Sequence, residues 1–114
     1  MSTVKGTISW FRAQTLLGKR AEKKIACNTT LRRDGDVFVI KYHNTDIITI
    51  TMDGRWILKT NGWTTNTTKK RLNDWTPARV YQKNFDWFLY EDENHTFDFF
   101  EGLQVNESGR IVRT

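Results

Sequence analysis

Between Ile25 and Thr60, short runs of β-branched and aromatic residues alternate with turn-forming pairs, a spacing that an antiparallel meander satisfies best. Ile25, Cys27, Thr29 and Leu31 share one face of the first run, as the period of a half-buried strand requires. Cys27 on this reading sits mid-strand, buried and inert. Asp34-Gly35 supplies a tight turn. Val37 to Tyr42 follows, β-branched and aromatic on both faces except at Lys41, and reads as a central strand. After the turn His43 to Asp46, the run Ile47 to Met52 puts Ile48, Ile50 and Met52 on one apolar face. Asp53-Gly54 turns the chain once more, into Arg55 to Thr60 with Trp56 and Leu58 inward.

Asn61-Gly62 breaks this pattern. Thr67 or Thr68 is expected to cap a short helix over Lys69 to Asp74, with Leu72 and Trp75 turned to the core and Pro77 stopping it. Val80 to Lys83 returns to an extended form. Phe85 to Tyr90 and Phe97 to Phe100 then flank the polar loop Glu91 to His95 as a hairpin, and a turn at Asn106 to Gly109 brings back Ile111 and Val112. Trp10 to Lys24 is ambiguous. Ala13, Leu16 and Leu17 fit a helical stripe that Gly18 interrupts, so a short N-terminal helix or an ordered loop is expected. The fold class is α+β and mostly β. It is an antiparallel meander sheet of six or seven strands, curled or barrel-like, with one short helix (about 67–75) packed on it.

A chain of 114 residues fits a single domain, 1–114. Five Trp, seven Phe and three Tyr supply enough buriable area for a core without a metal or disulfide staple. The lone Cys27 permits no internal disulfide, no apolar run is long enough to cross a membrane, and Met1 to Ile8 lacks the hydrophobic stretch of a signal peptide. A reducing cytoplasm and no membrane partner are therefore expected. Charge is segregated. Residues 1–33 hold eight Lys and Arg against one Glu, and residues 59–83 hold six against one Asp, whereas residues 84–114 hold seven acids and two Arg. Such polarity suits an anionic partner or the pairing of one segment with another.

Three stretches carry a family resemblance: Lys24 to Thr29, His43 to Ile48 (beginning His-Asn-Thr-Asp-Ile), and Gly62 to Asn73 (Gly-Trp-Thr-Thr-Asn-Thr-Thr-Lys-Lys-Arg-Leu-Asn). In these the chain resembles small, mostly uncharacterised proteins of tailed bacteriophages. Their signature runs roughly as a basic strand ending in Asn-Asn-Thr, then His-x-Thr-Asp-Ile, then Gly-Trp-x-Thr-x-Thr-Thr-Lys-x-Arg-Ile-Asn. The chain departs at Cys27, where a second Asn is usual, and at Leu72, where Ile is. The resemblance spans about half of the chain, Lys24 to Asn73, leaving the first twenty residues and the acidic C-terminal third outside. It implies a phage origin and the host cytoplasm as the setting, and it implies no activity.

The third stretch is the best candidate site. A helix capped by Thr67 or Thr68 would place Lys69, Lys70 and Arg71 in or beside its first turn, against the preference of the helix dipole. With the hydroxyls of Thr65, Thr67 and Thr68, that arrangement suits a phosphate or carboxylate. Alternatively, acids of the neighbouring hairpin neutralise these bases, and Lys70 pairs with Asp74. The N-terminal bases Arg12, Lys19, Arg20, Lys23 and Lys24 would widen the patch toward a nucleic-acid backbone, with Trp10 and Phe11 as stacking platforms or as core anchors. Asn28, His43, Thr45 and Asp46 are expected to form a structural polar cluster with Arg71. No motif for catalysis, a cofactor or a metal occurs. The expected function is thus a non-enzymatic phage accessory protein that binds an anionic ligand, nucleic acid or nucleotide-like. The alternative is an inhibitor of a host defence system or host nucleic-acid enzyme, with Glu91, Asp92, Glu93, Asp98 and exposed aromatics as the protein interface.

Overall fold

The computed structural model describes residues 4–62 and 64–112, so Trp63 of the family signature lies outside the described residues. The order of elements is α1 (Trp10–Leu17), β1 (Glu22–Ala26), β2 (Thr29–Asp34), β3 (Val37–Tyr42), β4 (Thr45–Ile50), β5 (Trp56–Leu58), α2 (Asn66–Trp75), β6 (Val80–Lys83), β7 (Asp86–Asp92), β8 (His95–Asp98) and β9 (Leu103–Val105). Every pairing among the described residues is antiparallel. The larger sheet runs β1-β2-β3-β4-β5-β9 and the smaller β6-β7-β8. The fold is mostly β with two helices, as the residue pattern predicts, but the described residues form nine strands in two sheets rather than six or seven in one, and the sheets stay open rather than closing into a barrel.

One hydrophobic cluster joins the two sheets and both helices, from Ile8 and Ala13 through Ile40 and Trp75 to Leu89 and Val105. Three tryptophans tie the N-terminal segment and the β2–β3 turn into place by donating indole N–H groups to backbone carbonyls. Trp75 bonds Val4, Trp56 bonds Ile8 and Trp10 bonds Asp36, each at 2.9 Å. Each ring thus buries its apolar body and satisfies its one donor. Helix α1 forms because Ser9 caps it, its Oγ accepting the Arg12 N–H at 3.1 Å. It ends at Gly18, whose φ of 58° glycine adopts without strain.

Local expectations fail where turn chemistry is carried by residues other than Gly. The run from Ile25 to Leu31 is two strands, because Asn28 adopts a left-handed φ of 54° and reverses the chain. Cys27 therefore lies exposed in a turn instead of buried in a strand. Strand β4 ends at Ile50. Thr51 accepts the Arg55 N–H at 3.0 Å and closes a turn that leaves Met52 55% exposed, outside the core face proposed for it. Asn84 and Phe85 both take positive φ in the β6–β7 turn, so Phe85 sits at a hairpin tip and β7 begins at Asp86.

Candidate functional site

At one end of the larger sheet, three turns of chain meet. The β3–β4 hairpin reverses through His43-Asn44, between the paired residues Tyr42 and Thr45, with His43 at a left-handed φ of 55°. Its His43 N–H donates to the Asn28 carbonyl of the β1–β2 turn at 2.8 Å, which docks one hairpin end on the other. Pairing slips in β4, where Ile40 faces Ile48 but Lys41 faces Asp46. Ile47 is the extra residue of a bulge, and bulges re-aim side chains beside sites. The start of α2 lies across these turns. Its N-cap is Thr65, whose Oγ1 accepts the Thr68 N–H at 3.1 Å and lies 3.0 Å from the Thr68 hydroxyl.

Between them is a cleft of about 300 Å³ lined by Tyr42, His43, Asn44, Thr45, Ile47, Thr65 and Thr68, at the small end of ligand-sized sites. All three stretches of the phage-like signature contribute to it or brace it. Tyr42, Asn44 and Ile47 are additions that the residue pattern does not single out. Ile47 depends on a bulge, which has no local signature here. Tyr42 reads as a strand residue, and only its place beside His43 hints otherwise. Thr45 is 8% exposed, and no described residue bonds its hydroxyl.

The bases of α2 have three different fates. The helix begins at Asn66, so Lys69, Lys70 and Arg71 fall in its second turn and do not oppose the dipole as a cap at Thr67 or Thr68 would have it. Thr65 takes the cap in place of Thr67 or Thr68, and its hydroxyl also lies within hydrogen-bond distance of the Thr68 hydroxyl. Lys69 lies over the Trp87 ring at 6.0 Å and reaches Gln82 at 3.4 Å, while Lys70 pairs with Asp74 at 2.7 Å. No acid of the β7–β8 hairpin neutralises them. Arg71 is half-buried, its guanidinium 5.3 Å from the Trp75 ring and 5.9 Å from the Tyr42 ring. Its Nε is buried and meets no hydrogen-bond partner among the described residues, and no described carboxylate forms an ion pair with it. The last residue of the signature, Asn73, is structural: its side-chain amide clasps the backbone of Val80, accepting from N–H at 2.7 Å and donating to C=O at 2.8 Å.

The N-terminal bases do not extend this site. Arg12 donates to the carbonyls of Gly6 and Thr7 at 2.9 and 3.0 Å. Lys19 and Arg20 are exposed beside the far end of β2, where the Arg33 N–H donates to the Ala21 carbonyl at 3.0 Å. A strand of six residues separates that end from Thr29 by roughly 17 Å. Lys23 and Lys24 stand on β1, opposite Leu31 and Thr30, two strands from β3. Trp10 is half-buried against Phe38 as an anchor, whereas Phe11 is 73% exposed.

Nor do Asn28, His43, Thr45 and Asp46 form one hydrogen-bonded cluster among the described residues. Asp46 takes a bidentate pair from Arg32 at 2.7 and 2.9 Å, because the pleat sends it to the face opposite Thr45. The hydrogen bond from Arg32 holds the Asp46 carboxyl below the usual carboxylate range. His43 packs on Tyr42 with ring centroids 4.4 Å apart, and the Asn28 amide points to Cys27 Sγ at 3.5 Å. In the acidic third, Glu91 accepts the Ile111 N–H at 2.6 Å, and Asp92 meets His95 Nδ1 at 2.8 Å and the Asn94 N–H at 2.8 Å. Both brace the hairpin. Glu93 and Asp98 remain exposed. No group of three His, Cys, Asp or Glu that could hold a metal ion occurs among the described residues, and none of the described helices is long and apolar enough to cross a membrane.

A model of the Kyanoviridae Gp96 protein family matches residues 12–106, which takes in most of the acidic third as well as the three signature stretches. No curated protein and no solved structure matches the chain.

Proposed function

The chain belongs to the Kyanoviridae Gp96 family of phage proteins, and from that starting point we propose that it is an accessory protein acting in the host cytoplasm by binding an anionic, nucleotide-like or nucleic-acid ligand in the cleft between the β3–β4 turn and α2. The observation that carries this reading is Arg71. Its Nε is buried with no hydrogen-bond partner among the described residues, and a buried donor left unpaired costs about 1–3 kcal/mol, of which aromatic faces offset about 0.5–2 kcal/mol. Here it stands beside Tyr42, one of the cleft walls. An incoming phosphate or carboxylate would complete it with a charge-assisted hydrogen bond.

The experiment is an equilibrium titration of salt-washed protein with nucleotides and with short single- and double-stranded DNA and RNA, at two salt concentrations. The expected result is saturable binding that fails in Arg71→Glu and persists in a Lys19→Ala/Arg20→Ala variant. Binding that survives Arg71→Glu would move the site elsewhere. A second reading, inhibition of a host protein, is favoured by Phe85. It is 93% exposed at a left-handed φ of 70° on a hairpin tip, a conformation that a bulky side chain rarely adopts. Capture of a host protein that is lost in Phe85→Ser and kept in Arg71→Glu would support that reading instead.

A further inference from the structure

The surroundings of the cleft limit how much anion it can hold. Across the His43-Asn44 turn lies a second depression whose charged lining is Glu22, Arg32, Lys41 and Asp46, two acids against two bases, with Arg32 and Asp46 already joined. On α2, Lys70 faces Asp74. Arg71, beside Tyr42 of the cleft wall, is a half-buried cation that no described acid pairs with. A nucleic-acid strand brings one phosphate per nucleotide and needs a basic track to follow. The cleft offers a place for one.

The remaining walls specify what should accompany that phosphate. Tyr42 and Ile47 present an aromatic ring and a branched alkyl group. Thr45 lines the cleft, and its hydroxyl, without a partner among the described residues, can both donate and accept there. Asn44 adds an amide that can both donate and accept. A flat ring with a hydrogen-bonding edge uses all of these, whereas a bare anion uses only the hydroxyl and amide donors and leaves the apolar walls uncovered. Resting on the reading of the cleft given above, we propose that it takes a single nucleoside monophosphate unit. The base lies against Tyr42 and Ile47, its polar edge on Thr45 and its phosphate on Arg71. Free nucleotide and the phosphorylated end of a strand share this chemistry.

Calorimetric titration of the full chain tests it, using the nucleoside 5′-monophosphates, their nucleosides, ribose 5-phosphate, inorganic phosphate, and single strands with and without a 5′-phosphate. One monophosphate is expected to bind one to one, about tenfold or more tighter than its nucleoside or phosphate alone, since each half loses the other's contacts. Thr45→Val should weaken it about fivefold and Arg71→Met about tenfold, with cooperative melting retained in both. A 5′-phosphorylated strand that matches the free nucleotide would identify strand ends as the source, and one that does not would identify the free nucleotide. Phosphate binding as tightly as nucleotide would overturn the ring contact and leave the anionic-ligand reading standing. So would a strand that binds far tighter than a nucleotide with a steep salt dependence, which would overturn the single-unit limit. No binding by any probe to a cooperatively melting chain would overturn both.

Discussion

Arginines at the two ends of the larger sheet are used in opposite ways. Near α1, Arg33 donates to the carbonyls of Arg20 at 3.1 Å and Gly18 at 3.3 Å, Arg12 bridges Gly6 and Thr7, and across the sheet Arg32 grips Asp46. These guanidiniums are fold staples, and several hold the carbonyls that a helix end or loop leaves unpaired. Among the described residues, Arg71 beside the cleft keeps only aromatic company. A cluster of Arg and Lys in a sequence therefore says little about which charge is available. What decides is whether the fold has carbonyls or carboxylates within reach.

The sharpest way to break this contrast is Arg12→Met, which removes two charge-assisted bonds to backbone carbonyls. It should cost about 2 kcal/mol, a fall in Tm of roughly 8 °C for a chain of this size, and leave ligand affinity unchanged. Next in size is Thr65→Ala. It removes both the cap of α2 and a hydroxyl of the cleft, so a loss of about 1 kcal/mol in denaturant melts should come with weaker binding. Asp46→Asn removes the bidentate pair with Arg32. Both partners are partly exposed, so the loss at pH 7 should stay below about 1 kcal/mol. The folded Asp46 pKa is depressed, so its contribution is present above the unfolded carboxylate value and lost as pH falls through the folded one. The gap between wild type and Asp46→Asn should then close below about pH 4. Smallest is Lys70→Ala, where loss of the exposed pair with Asp74 should cost about 0.3–0.5 kcal/mol and leave affinity nearly unchanged.

Much of the architecture was legible because it rests on period and turn residues. Val37 to Tyr42 follows from its β-branched and aromatic residues, Trp56 and Leu58 inward from alternation, and the β7–β8 hairpin from apolar runs about a polar loop, though the strands extend to Asp92 and from His95. Boundaries failed where Asn28 or Phe85 turned the chain, since neither reads as the glycine that such backbone usually needs. The site was half legible. Thr65, Thr68 and Arg71 were singled out by the charge and hydroxyls expected at a helix start; Thr65 and Thr68 line the cleft, and Arg71 stands beside Tyr42 of its wall. Their partners Ile47 and Tyr42 were not, because a bulge and a cross-strand docking place them there, and both are tertiary events. The expected basic patch dissolved for a related reason. Backbone carbonyls bind Arg12 locally, and the length of β2 carries Lys19 and Arg20 to the far end.

The central claim is that Arg71 is held for an anion and not for the fold. Thermal melting of wild type and Arg71→Met, each with and without saturating nucleoside monophosphate, tests it most directly. A ligand at a hundred times its Kd should stabilise the wild type by about 2.7 kcal/mol, while Arg71→Met, no less stable than wild type when unliganded, should scarcely shift. An unliganded Arg71→Met that melts several degrees lower, and still gains the full shift from ligand, would show the guanidinium to be one more staple.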